Sequence, residues 1–176
     1  YYKSFELPIK IVRPFNTYGP RQSARAIIPT IISKLLSGKT EIGLGSLFPT
    51  RDFTFVKDTC NGFTEIYKSD FFFGEMTNIG MNKEISIGDL AKQIAQLMGV
   101  DLTIYSDEER VRPTNSEVER LVCDNDKLVK ASSWKPEYDL KKGLSETITW
   151  FKKNNQLFKS ELYHVYDGAF CRPFPF

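Results

Sequence analysis

Short apolar runs of strand length alternate along this chain with longer stretches whose apolar residues recur at helical spacing. That alternation constrains the fold more than any other feature. Residues 8–13 form an apolar strand, and Pro29 to Ser37 carries Ile31, Ile32, Leu35 and Leu36 at helical spacing. Pro29 suits the first helical turn and Gly38 the exit. Ile42 and Leu44 suggest a strand, and Asp52 to Val56 a second one after the turn at Pro49. Asp58 then caps a helix holding Phe63, Ile66 and Tyr67. A brief strand is expected at Thr77 to Gly80. Ser86 and Asp89 have capping-box spacing and open a helix bearing Leu90, Ile94, Leu97 and Met98, which Gly99 ends. Leu102 to Tyr105 and Arg120 to Val122 are candidate strands, Asp124 a candidate cap for a short helix, and Asp139 the start of a long one carrying Leu140, Leu144, Ile148 and Phe151. The pattern is that of an α/β chain. Its spacing is uneven, and the elements after Asn16 are too short and mixed for a complete doubly wound sheet. The first residues, YYKSFELP, have the form of the end of an amphipathic helix, so further chain is expected upstream of Tyr1. The tail YDGAFCRPFPF has no period and is expected to be irregular or packed on a neighbour.

A length of 176 residues with 41% apolar content is enough for one ordinary domain with a real core. A formal charge of +2 gives no broad footprint for nucleic acid or an anionic membrane, so any anion must be held locally. No run approaches the roughly 18 apolar residues of a membrane span, and no stretch of these 176 residues has the charged start and apolar centre expected of a signal peptide. Cys60, Cys123 and Cys171 are far apart and lack CxxC spacing, which argues against a disulfide framework or a zinc site and fits a reducing, cytoplasmic setting. The single histidine, His164, cannot supply a metal cluster and is expected to be a surface or packing residue.

Four segments could carry chemistry. In RPFNTYGPRQ a strand passes at once into a loop where Asn16 offers an amide donor and acceptor and Tyr18 a hydroxyl, while Gly19 and Pro20 shape the turn. Loops at the carboxyl ends of parallel strands are where open α/β sheets bind ligands. For an isolated NTYGP a capped, hydrogen-bonded turn is the slightly favoured reading. Arg51, in PTRDF, could hold a phosphate through its planar fork, or pair with Asp52 or another carboxylate. NIGMN ends a strand in a Gly-containing loop from which Asn82 projects a second amide. RVRPTNSE combines Arg110 and Arg112 with Glu117, a set suited to a nucleoside diphosphate, or else a solvated charged loop.

Taken in order, RPFNTYGPRQ, the IIPTII helix, RDFTFVKD, NIGMN and RPTNSEVERL with Asp124 resemble the C-terminal half of the extended short-chain dehydrogenase/reductase family. More narrowly they are similar to its NAD-dependent nucleotide-sugar 4,6-dehydratases and epimerases, over about residues 1–160. The resemblance implies the last strands of a Rossmann sheet plus a small mixed α/β substrate-binding domain. Residues 1–20 would end the NAD-binding domain, residues 21–155 would mainly bind the nucleotide sugar with some elements returning to the Rossmann sheet, and residues 156–176 would be a tail. It also implies that Asn16 contacts the sugar nucleotide near its phosphates, that Pro14 and Phe15 lie with Asn16 near the nicotinamide of NAD, and that Arg51 binds the pyrophosphate. Asn82 and Arg112 match further diphosphate contacts, Glu117 a partner for ribose hydroxyls, and Arg25 a residue approaching the ligand. Many relatives carry an aromatic residue near Leu44 against the base, and the leucine leaves the base open.

The family binds NAD through a GxxGxxG turn, which this sequence does not contain. The family's catalytic Tyr and the Lys four residues on are matched only by Tyr138 and Lys142, which follow the strand at Pro8 instead of preceding it. No catalytic residue is therefore assigned. The expectation is a substrate-binding half, inactive alone, whose partners are a nucleotide sugar, a missing cofactor half and further copies of itself. A non-catalytic nucleotide-sugar binding module, or a structural fragment docked on a partner, fits the same residues.

Overall fold

The computed structural model describes residues 1–107 and 118–157. Arg110, Arg112, Glu117, His164, Cys171 and the tail lie outside the described residues.

The elements are α1 (Tyr2–Phe5), β1 (Ile11–Pro14), β2 (Thr17–Tyr18), α2 (Ile27–Leu36), β3 (Glu41–Leu44), β4 (Thr50–Arg51), β5 (Thr54–Phe55), α3 (Val56–Lys68), β6 (Met76–Ile79), β7 (Ile85–Ser86), α4 (Ile87–Met98), β8 (Thr103–Ser106), β9 (Arg120–Leu121), α5 (Asp126–Ala131) and α6 (Leu140–Lys153), followed by a 3-10 turn at Asn155–Leu157. The pairings are mostly parallel: β1 with β6, β2 with β5, β3 with β8 and β4 with β9, with β7 antiparallel to β4. The architecture is mixed α/β with mainly parallel pairings, as the alternation in the sequence implies.

Several helix ends follow local chemistry. Ser86 Oγ accepts the Asp89 N–H at 3.0 Å at the start of α4, and Gly99 closes that helix with a left-handed φ of 71°. Asp139 caps α6 by accepting the Lys142 N–H at 2.7 Å. Two expected caps are different. Helix α3 begins at Val56 with Phe55 as N-cap, so Asp58 lies inside its first turn. The Asp58 carboxylate instead accepts the N–H groups of Glu137 at 2.9 Å and Tyr138 at 3.0 Å. Helix α5 has Asn125 as N-cap, and Asp124 accepts the Asp126 N–H at 3.0 Å. The expected strand over 52–56 is shorter as well: only Thr54–Phe55 is extended, as β5, and Val56 is already helical.

Two hydrophobic cores result. The larger joins α2, α4 and α6 through Ile31, Leu90, Ile94, Leu144 and Phe151, with Tyr18 and Phe55 at its base. The smaller packs Ile66, Phe72, Ile79, Leu128 and Trp134 beneath β1 and β6. Asp58 joins them: its carbonyl takes the indole N–H of Trp134 at 3.0 Å while its carboxylate fixes the approach to α6. No helix among the described residues is long and apolar enough to cross a membrane.

Candidate functional site

A pocket of about 610 Å³ opens where the turn after β1, the segment before α2, the end of β3, β4 and the start of α4 converge. Its size is in the range of small-molecule sites. Asn16, Arg25 and Arg51 line it together, although 35 residues of chain separate the first from the last. Apolar walls come from Ala26, Ile27, Leu44, Phe53 and Ile87, and Thr17, Gln22 and Thr30 add polar groups.

Asn16 and Arg51 are held by their neighbours. Asn16 Nδ2 donates to the Asp52 carbonyl at 2.9 Å, and the Asn16 carbonyl accepts the Thr54 N–H at 3.2 Å. One amide hydrogen is thus committed, and the orientation of the carboxamide is set by that bond. Arg51 is half-buried and donates through Nη1 to the Thr50 carbonyl at 2.8 Å. Arg25 is exposed on the loop leading into α2. The three-stranded sheet that carries Arg51 is clamped from outside, where Glu84 accepts from Thr50 Oγ1 at 2.6 Å and from Arg120 Nη2 at 2.8 Å. The Arg120 guanidinium beside it, with help from Thr50, holds the Glu84 carboxyl below its ordinary range.

Asn82 stands apart. It is exposed, has a left-handed φ of 53°, and does not line the pocket that collects Asn16, Arg25 and Arg51. Its neighbours Met81 and Lys83 line a second, smaller pocket of about 360 Å³ on the other side of Phe53. Pro14 ends β1, Phe15 follows it, and neither lines the larger pocket; the Phe15 N–H bonds to the Ile79 carbonyl at 2.8 Å, and the Arg13 guanidinium stands 5.9 Å from the Phe15 ring. Tyr138 and Lys142 are remote from it too. Lys57 Nζ donates to the Tyr138 hydroxyl at 3.0 Å and to Glu146 at 2.8 Å, while Lys142 Nζ sits 4.1 Å over the Tyr138 ring.

Two residues were missed by the sequence reading. Gln22, the last letter of RPFNTYGPRQ, donates Nε2 to the Thr17 carbonyl at 3.0 Å inside the pocket wall, and its buried Oε1 has no hydrogen-bond partner among the described residues. Asp52 is fully buried, and it does not form the ion pair with Arg51 offered by the sequence reading. Its carboxylate accepts the Met81 N–H at 2.9 Å and the Cys123 N–H at 3.1 Å. Burial pushes its carboxyl up, and these backbone donors pull it back. Nothing in the local sequence marks an aspartate as a receiver of N–H groups 29 and 71 residues away. Among the described residues no cluster of His, Cys, Asp and Glu could hold a metal ion.

Residues 1–147 match the family described as GDP-mannose 4,6 dehydratase. The human dTDP-D-glucose 4,6-dehydratase is 31% identical over 159 residues, covering 88% of this chain and 44% of that protein. Among solved structures, dTDP-glucose 4,6-dehydratase from Bacillus anthracis in complex with NAD superposes with a TM-score of 0.75 at 29% identity, over 88% of this chain and 48% of that one. UDP-glucuronic acid 4-epimerase from Bacillus cereus, in complex with UDP-glucuronic acid and NAD, gives 0.77 at 28% identity, over 89% and 48%. The chain therefore spans about half the length of the relatives it matches.

Proposed function

The chain belongs to the extended short-chain dehydrogenase/reductase family, among relatives that are nucleotide-sugar 4,6-dehydratases and epimerases, and from that premise we propose that it is the substrate-binding half of a nucleotide-sugar 4,6-dehydratase. The observation that carries this reading is the gathering of Asn16, Arg25 and Arg51 on one pocket of about 610 Å³. Two guanidinium groups and a carboxamide suit a diphosphate, and the apolar walls suit a base or sugar ring.

Within that reading Arg51 holds the pyrophosphate and Asn16 offers its remaining amide hydrogen and carbonyl oxygen to the sugar end. Arg112, Glu117 and Asn82 supply further nucleotide contacts in this reading, Arg112 and Glu117 lying outside the described residues. NAD would border the carboxyl end of β1 at Pro14 and Phe15. The present residues do not make a site for it by themselves, since the sequence holds no glycine-rich phosphate turn. The chain's own contribution is to bind and orient the sugar nucleotide; hydride transfer at C4 and loss of water across C5 and C6 belong to the joined protein. Residues 1–20 form the end of the cofactor domain and residues 21–155 the substrate domain in this proposal. An epimerase of the same family is the second reading, favoured by the similar superposition on the Bacillus cereus epimerase.

Calorimetric titration of this chain with UDP-, dTDP- and GDP-linked sugars tests the proposal. Binding of at least one, weakened at least tenfold by Arg51→Ala, is the expected result. Unchanged affinity in that variant would remove the pyrophosphate assignment, and absence of binding to all three would remove the substrate-half reading.

A further inference from the structure

A fully enclosed carboxylate stands next to the pocket without being one of its lining residues. Asp52 has no exposed surface, yet it meets three separated segments of chain, at Asn16, at 81–83 and at 121–123. Its N–H donates to the Leu121 carbonyl at 3.0 Å, and its carbonyl accepts Asn16 Nδ2 at 2.9 Å. Its carboxylate accepts Met81 N–H at 2.9 Å and Cys123 N–H at 3.1 Å, with the N–H groups of Asn82 and Lys83 also acting on it. The loop is shaped for this contact. A Cβ on Gly80 would lie 2.2 Å from Cys123 Cβ and 3.3 Å from Asp52 Oδ2, so only glycine lets the two segments close together. Asn82 takes a left-handed φ of 53°, as in backbone turns that aim successive N–H groups at one anion. Asn125 Nδ2 then ties the same junction to the Gly80 carbonyl at 2.7 Å.

We propose that Asp52 is the positioning residue of the pocket: its carboxylate draws the 80–83 loop and the 123–125 segment onto β4, and its carbonyl sets the Asn16 carboxamide, so that Asn16 and Arg51 face one ligand. Arg51 is the preceding residue, and a shift of about 1 Å in such a holder is enough to spoil a binding geometry. A buried carboxylate without partners would be costly, and backbone donors from two distant loops remove that cost only when both loops are in place. The pocket and the junction behind it are thereby one assembly. The claim rests on the proposed function insofar as the ligand is a nucleoside diphosphate.

Asp52→Asn keeps size and shape but turns one acceptor oxygen into an amide facing N–H donors. Titration with UDP and dTDP should show at least a tenfold loss of affinity in this variant. The comparator is Lys10→Met, which loosens the fold at the far end of α3, outside the pocket. At temperatures chosen so that both variants are equally folded, Lys10→Met should bind like the parent chain. Normal binding by Asp52→Asn, or equal loss in both variants, would overturn the proposal. Amide hydrogen exchange supplies a readout that needs no ligand. Protection should fall at Met81 and Cys123 and also at Thr54, whose N–H bonds to the Asn16 carbonyl. If the parent chain binds neither nucleotide, the affinity comparison gives way to the exchange data, and the proposed function stands or falls on the titration with all three sugar nucleotides. The exchange data then decide the positioning role: retained protection at Thr54 in Asp52→Asn overturns it, and lost protection there supports it.

Discussion

The Tyr18 hydroxyl occupies the space that a side chain on Gly143 would need: a Cβ built there would lie 2.2 Å from it. The contact joins β2, in the turn that follows RPFN, to the first half of α6, and it sits at the base of the larger core. In most exposed helices Gly→Ala stabilises by about 1 kcal/mol. Here the sign should reverse, because Phe55 Cδ2 is also only 3.0 Å from the added carbon. Gly143→Ala is expected to cost ~1–3 kcal/mol through overpacking. Urea denaturation measures it, and Tyr18→Phe in the same chain should recover part of the loss. A Gly143→Ala variant as stable as the parent would contradict the close approach.

Lys10 caps the end of α3 from a distant part of the chain. Its Nζ donates to the carbonyls of Ile66 at 2.8 Å and Tyr67 at 3.1 Å, and to that of Ser69, and it lies 4.4 Å from the Phe73 ring centre. These are the carbonyls that an α-helix leaves unpaired at its C-terminus. Replacing the ammonium while keeping a long apolar stem, as in Lys10→Met, should lower stability by ~1–2 kcal/mol. Thermal unfolding would register a lower midpoint, whereas an unchanged midpoint would mean the bonds contribute nothing.

Cys123 and Cys60 should differ sharply toward alkylation. Cys123 is buried beneath Gly80, and burial, reinforced by the charges of Asp52 and Asp124, pushes its thiol up to about 12. A thiol raised in this way stays protonated through neutral pH and forms the reactive thiolate only as pH approaches that value. Cys60 is exposed on α3. Iodoacetamide at pH 8, followed by peptide mass spectrometry, should label Cys60 and leave Cys123 unlabelled until the chain unfolds. Equal labelling of the two in the native protein would refute the buried junction.

The face around β1, β6 and α3 leaves Ile11, Phe63, Tyr67, Phe71 and Met76 exposed and frames a groove of about 630 Å³ between Pro8, Val12, Ile66 and Phe73. An apolar surface of this kind promotes association when nothing covers it. Sedimentation velocity should show the isolated chain self-associating with concentration, and Phe63→Glu with Tyr67→Glu should reduce that association. A dilution-resistant monomer of the parent chain would count against the expectation.

The sequence was most legible where a single local interaction decides the outcome. Ser86 and Asp139 bond to N–H groups three residues on, and both were identified as caps from spacing alone. Asp58 and Asp124 look the same in sequence, yet tertiary partners claim the first and a neighbouring turn the second. The strand expected over 52–56 was cut down to Thr54–Phe55 for a related reason: Thr54 pairs with Thr17, whereas Arg51 just before it is drawn to another sheet by Leu121. At the site, Asn16, Arg25 and Arg51 were picked out by residue type and by the order of their motifs. Their meeting on one pocket, and the separate position of Asn82, depend on how β4 is seated.

By itself, then, the sequence determined the α/β alternation, the caps of α4 and α6, the family membership, and the residue types able to hold a diphosphate. Periodicity and capping act within a few residues, so they are written directly in the order of side chains. Tertiary structure alone decided that Asp52 and Asp58 would be buried receivers of distant backbone N–H groups and that Gly143 would yield its space to Tyr18. A buried carboxylate is stable only when the groups that satisfy it arrive from elsewhere in the chain, and no local pattern records where they come from.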